Sequence, residues 1–127
     1  MPGVLIVDGD PDVIHLCRVV LEESGFNVHG ARSRMAAVEA VRIYRPDLII
    51  LDIMLEEPDD GLVIASELRR EGILTPIMVM SNWNRIMGFP WDLQAIETLV
   101  DDVQEKPLEP GRLLERVRTL IGPLRLP

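Results

Sequence analysis

This sequence predicts an α/β fold built on an open parallel sheet, on three observations. Two short apolar runs, Val4-Leu5-Ile6-Val7 and Leu48-Ile49-Ile50-Leu51, have the length and continuity of strands buried on both faces. Stretches with apolar residues at helical spacing lie between such runs, bounded by capping or breaking residues. Strands and helices alternate five times, which implies helices on both faces of the sheet and right-handed crossovers.

The first strand is Val4–Val7. Asp10-Pro11-Asp12 then starts a helix, with Asp10 as N-cap and Pro11 in the first turn. That helix runs to about Glu23 and turns Val13, Ile14, Cys17, Val20 and Leu21 inward, so Cys17 reads as core rather than nucleophile. Ser24-Gly25 stops it. A short strand over Asn27–Gly30 leads to Ser33, the cap of a second helix with Ala36, Ala37, Ala40, Val41 and Tyr44 on one face. Pro46 ends that helix before the third strand, Leu48–Leu51. An acidic loop follows, and Leu62, Ala65 and Leu68 stripe a third helix that stops near Gly72. Thr75-Pro76 opens a fourth strand, Ile77–Met80, ending on Ser81. Asn82 to Asp92 is irregular and carries Trp83, Phe89 and Trp91, which read either as an exposed binding patch or as loop aromatics tucked onto the core. Asp92 caps a fourth helix with Leu93, Ile96, Leu99 and Val100. The fifth strand is short, Asp102–Glu105, and Leu113, Leu114, Val117, Leu120 and Ile121 stripe a last helix ended by Gly122-Pro123.

The chain has 127 residues, 47% of them hydrophobic, which suits one domain with one substantial core. A net charge of −8 leaves no basic stripe for a phosphate backbone, which argues against direct nucleic-acid binding and against an anionic membrane surface. No apolar run approaches the roughly 20 residues that span a bilayer. The single cysteine cannot make an internal disulfide. A soluble cytoplasmic protein is expected.

The chemistry gathers at strand ends. Asp8 follows the first strand, Asp52 the third, Ser81 the fourth, and Lys106 lies just beyond the fifth. Parallel strands present all four at one edge, where open α/β sheets place their ligands. Two carboxylates, a hydroxyl and an ammonium suit phosphoryl chemistry: Asp52 as nucleophile, Asp8 helping to hold a divalent cation, Ser81 bonding a phosphoryl oxygen, Lys106 as compact cation. Magnesium fits, because it accepts one or two carboxylates and keeps several waters.

In these residues the chain resembles the receiver domains of two-component response regulators, over essentially its whole length. The matching pattern is Val7-Asp8, Leu51-Asp52, Ser81, and Asp101-Asp102 followed by Lys106-Pro107. The resemblance implies a flavodoxin-like (βα)5 doubly wound sandwich with strand order 2-1-3-4-5. It implies one receiver domain over residues 1–127, with no output domain in this chain. Asp52 would accept a phosphoryl group from a histidine kinase or phosphotransfer protein, Ser81 would sense it and Lys106 pair with it. Asp8, Asp52 and the Met54 backbone carbonyl would hold Mg2+, and the Lys106-Pro107 bond would be cis. Such a receiver is a signalling module rather than an enzyme, acting through a downstream protein partner or output domain. The family often forms homodimers through the fourth helix, fifth strand and fifth helix.

Four departures from the family pattern bear on activity. Gly9 stands where a second acid is usual, which implies weak magnesium binding, with Asp10 as possible substitute. The loop from Asp52 to Gly61 is one residue longer than usual, which brings Glu56 or Glu57 into consideration near the cation. Val103 holds the switch position, where an aromatic residue is common. The start of the Asn82–Asp92 loop lacks the usual small residues. The main reading is a phosphorylation-dependent receiver. The alternative is a degenerate pseudo-receiver, a phosphorylation-independent docking or dimerisation module. An aspartyl hydrolase is the more distant enzyme reading, since that class carries an acid where Met54 stands.

Overall fold

The computed structural model describes residues 2–82 and 93–122. In chain order the elements are β1 (Gly3–Val7), α1 (Pro11–Glu23), β2 (Asn27–Ala31), α2 (Arg34–Tyr44), β3 (Leu48–Leu51), α3 (Asp60–Arg70), β4 (Ile77–Ser81), α4 (Leu93–Leu99), β5 (Asp102–Glu105) and α5 (Pro110–Ile121). The strands form one parallel sheet in the order β2-β1-β3-β4-β5.

Period-two alternation divides the strands between two cores. Leu5, Val7, Ile49, Leu51, Ile77 and Val79 pack with Ala37, Ala40 and Val41 of α2, Ile64, Ala65 and Leu68 of α3, and Ile96 of α4. The intervening Val4, Ile6, Leu48, Ile50, Met78 and Met80 pack with Ile14, Cys17 and Leu21 of α1 and Leu113 and Val117 of α5. Every central strand residue therefore serves one layer or the other, which is why the runs read as continuous rather than alternating apolar sequence. Cys17 is core, and burial pushes its thiol up to about 11, so it is inert at neutral pH.

Local signals set the helix starts. The Asp10 carboxylate accepts the Asp12 amide at 2.9 Å with Pro11 behind it, and Ser33 Oγ accepts the Ala36 amide at 3.2 Å. Two boundaries, of β2 and α3, and the buried face of α2 differ from the sequence reading. β2 extends to Ala31, because Gly30 and Ala31 pair in register with Ile6 and Val7. α3 begins at Asp60, two residues before its apolar stripe. In α2 the buried face includes Val38, whereas Ala36 is exposed and Tyr44 is half-exposed, its ring stacked on His29 at 3.6 Å between centroids. Trp83, Phe89, Trp91, the Asp92 cap and the tail from Pro123 lie outside the described residues. Among the described residues no helix is long and apolar enough to cross a membrane.

Arg69 ties together the sheet edge opposite the strand ends that carry Asp8 and Asp52. Its guanidinium donates to the carbonyls of Leu99 (3.2 Å), Ile73 (2.9 Å) and Thr75 (2.8 Å), and to Asp101 Oδ2 at 3.2 Å. Asp101 Oδ2 also accepts the Ile77 amide at 2.9 Å, so one ion pair anchors the starts of β4 and β5. Arg69→Ala removes the guanidinium donors from three carbonyls and Asp101 and is expected to lower stability by about 2 kcal/mol in urea unfolding. A loss under about 0.5 kcal/mol, the range of neutral surface changes, would show the network to be ornamental.

Candidate functional site

Because all five strands run the same way, their C-terminal ends share one edge, and the four candidate residues meet there. Asp8 follows β1, Asp52 follows β3, Ser81 closes β4 and Lys106 follows β5. Lys106 Nζ lies 2.5 Å from Asp8 Oδ2 and 2.8 Å from Asp52 Oδ2, and so bridges the two carboxylates. Ser81 Oγ donates to Asp52 Oδ1 at 2.8 Å, and the Met54 amide donates to the same oxygen at 3.1 Å. Ser81 Oγ also accepts the Ile53 amide at 3.0 Å, while Asp8 Oδ1 accepts the Asp10 amide at 2.9 Å. The Lys106-Pro107 peptide is cis.

Asp8, Asp52 and Ser81 are buried, and Lys106 is half-buried. Desolvation raises the Asp8 pKa above its ordinary value, against the opposing pull of Lys106 and the Asp10 amide. For Lys106 burial pulls the ammonium down, but its bonds to Asp52 and Asp8 more than offset that and leave its pKa raised. Two carboxylates thus lie close enough to need a cation between them, and the resting site uses Lys106.

Asp8, Asp52 and Lys106 open onto a cavity of about 480 Å³ that is also lined by Gly9, Asp10, Val13, Met54, Leu55 and Asn82, while Ser81 is fully buried behind Asp52. Among the described residues no three His, Cys, Asp or Glu side chains form a metal cluster. The two carboxylates beside an open cavity suit magnesium, which accepts one or two carboxylates and keeps several waters. Asp10 lines the cavity, but its carboxylate is engaged as the cap of α1. Glu56 and Glu57 are exposed and do not line the cavity, so the longer loop does not bring them to the site. Val103 is half-buried in β5, paired with Val79 and packed against the core shared with α3 and α4.

Three contributions are missing from the sequence reading. Asp60, in the acidic loop after the third strand, has no role assigned from sequence, yet it is buried, accepts the Glu57 amide at 2.8 Å and lies 4.0 Å from Arg34. Gly61 lies so close to the β3 exit that an added Cβ would be 2.5 Å from Asp52 O and Ile53 Cα. The Asp-Gly pair at a helix start was the available signal for both. Arg32, just after β2, donates from Nε and Nη2 to the Gly9 carbonyl at 3.2 and 3.1 Å. Counting the end of the second strand with the other four would have placed it at this edge.

Comparison with known proteins agrees with this geometry. The response regulator receiver domain family matches residues 4–118. The chain is similar to the alkaline phosphatase synthesis transcriptional regulatory protein PhoP of Bacillus subtilis (28% identity, 93% of this chain and 48% of that one). It is also similar to the transcriptional regulatory protein SrrA of Staphylococcus aureus (33%, 93% and 47%). It therefore spans about half the length of these curated relatives. Among solved structures, a two-component response regulator from Clostridium difficile superposes with a TM-score of 0.81 at 28% identity, covering 95% of this chain and 96% of that one. With its five-stranded flavodoxin-like sheet and the strand-end residues gathered at one edge, this chain belongs to the response regulator receiver domain family, the signalling modules of two-component systems.

Proposed function

We propose that the receiver accepts a phosphoryl group on Asp52 from a histidine kinase or phosphotransfer protein and signals by a change in its protein–protein contacts. The observation that carries this reading is the state of Asp52: a buried carboxylate with Oδ1 held by Ser81 and Met54, Oδ2 held by Lys106, and an open cavity beside it. An Asp52 oxygen attacks the phosphorus of a phosphohistidine. The O–P bond forms as the P–N bond breaks, and the leaving imidazole keeps the electron pair and takes a proton. Hydrolysis returns the carboxylate and inorganic phosphate.

Asp8, Asp52 and the Met54 carbonyl would hold Mg2+, which when bound supplies charge neutralisation at the phosphoryl oxygens. Lys106 already bridges Asp8 and Asp52, so its ammonium can follow the added charge with little movement. The modification replaces one negative charge with about two and adds acceptor oxygens. Ser81 is placed to respond, since its hydroxyl now links Asp52 to the Ile53 amide and sits at the exit of β4. Val103 offers no aromatic ring to relay that change, so the response passes through packing around β4 and β5.

Sodium borohydride reduces an aspartyl phosphate to homoserine, which locates the modification by peptide mass. Conversion at position 52 alone is expected after treatment with acetyl phosphate and magnesium. Conversion at another aspartate, or at none, would overturn the assignment.

Gly9 favours the second reading, a phosphorylation-independent docking module, because it removes an acid from the cation site. An added Cβ there meets nothing within 4 Å. Gly9→Asp is therefore expected to fold normally and to raise magnesium affinity severalfold, read by calorimetry. Unchanged affinity would mean that the missing acid does not limit cation binding.

A further inference from the structure

Arg32 is an exposed cation held against Gly9, a residue that lines the acidic cavity. It follows the last residue of β2, and its fork closes on a single acceptor, the carbonyl of Gly9. Gly9 lines the cavity and stands between Asp8 and Asp10, which line it too. The turn that Arg32 grips is otherwise pinned by the Asp8 amide on Ala31 O at 3.0 Å and by the Asp10 amide on Asp8 Oδ1. Among the described residues no carboxylate pairs with Arg32. A guanidinium has five N–H donors, and the Gly9 carbonyl takes only part of that capacity. The charge of Arg32 is therefore neither neutralised by an acid nor free to wander.

We infer that Arg32 is a specificity-determining residue of the phosphoryl site, weighting the cavity against a divalent cation and toward the phosphoryl dianion of the donor. The inference rests on the acceptor reading of Asp52. Its physical basis is the opposite sign of the two ligands. A positive charge held against the cavity-lining Gly9 repels Mg2+ and attracts a phosphoryl group, and both effects are screened by salt. Gly9 and Arg32 act in the same direction, one by withholding a negative charge and the other by adding a positive one.

The test measures both ligands on the full chain in Arg32→Gln and Arg32→Lys. Magnesium affinity is read by calorimetry without any phosphodonor, and labelling of Asp52 is followed against acetyl phosphate concentration at saturating magnesium. In Arg32→Gln at low ionic strength, magnesium is expected to bind about 3-fold tighter and half-maximal labelling to need about 3-fold more acetyl phosphate, an effect expected from one exposed charge that salt should erase. Arg32→Lys restores both values. Loss of a structural tie alone would weaken both, so equal weakening, or no change in either, overturns the assignment. If no variant is labelled, the acceptor reading falls. The assignment of Arg32 to a phosphoryl site falls with it, and tightening by glutamine that lysine reverses would then show only a charge effect on the cation.

Discussion

Lys106→Met is expected to lower stability by about 2 kcal/mol at pH 7, and by clearly less at pH 5. Removing one partner of a buried ion pair strands the other; here the cost is set below the usual ~3–5 kcal/mol because Lys106 is half-buried and the cavity admits water. The stranded groups are Asp8 and Asp52, both buried and both held by the same ammonium. Desolvation already raises Asp8 above its ordinary pKa, with Lys106 opposing it. Without the lysine that opposition disappears and Asp8 rises further. A carboxyl whose pKa is higher folded than unfolded binds more protons in the native state, so its penalty grows as pH rises from the unfolded value through the folded one. Acidification therefore returns stability to the variant and narrows its gap from the parent. The parent has an alkaline limb of the opposite kind. The raised pKa of Lys106 means that its contribution is complete below 10.5 and is lost as pH climbs through the folded value. Urea unfolding at several pH values checks both, and a gap that does not change between pH 8 and pH 5 would mean that stranded charge is not its cause.

Gly61→Ala should cost about 3 kcal/mol, at the upper end for an overpacked position, and should depress labelling of Asp52 in the protein that still folds. The clash is with backbone rather than with a side chain that can swing away: the new Cβ would lie 2.5 Å from both Asp52 O and Ile53 Cα. The same residue donates its amide to Ile53 O at 2.8 Å, so any retreat of α3 breaks a bond that fixes the chain just after Asp52. Gly9→Ala is the internal control, because its Cβ meets nothing and the change should stay within about 0.5 kcal/mol. Equal stability of the two variants would remove Gly61 from the account.

The strands and the convergence of Asp8, Asp52, Ser81 and Lys106 were legible because one repeated design produces them, an apolar run ending in a functional group. Cys17 was correctly placed in the core by its helical spacing, and Asp10 as a cap by the proline after it. Other features depended on packing that spacing does not reveal. Asp60 sits in an acidic run that resembles any solvated loop, and its burial follows from α3 starting against the exit of β3. Ala36 and Tyr44 fit a helical stripe, but the face of α2 is rotated to bury Val38, which an alanine-rich helix permits at little cost in apolar area. Arg69 reads as one of several surface cations until its carbonyl partners on three segments are known.

The central claim is that Asp52 is a working phosphoryl acceptor, and intact mass tests it most directly. The parent chain and Asp52→Asn are incubated side by side with acetyl phosphate and magnesium. A gain of about 80 Da is expected in the parent, the mass of one phosphoryl group on an activated nucleophile, and none in the variant. No gain in folded parent protein at saturating magnesium, or an equal gain in both, would contradict it.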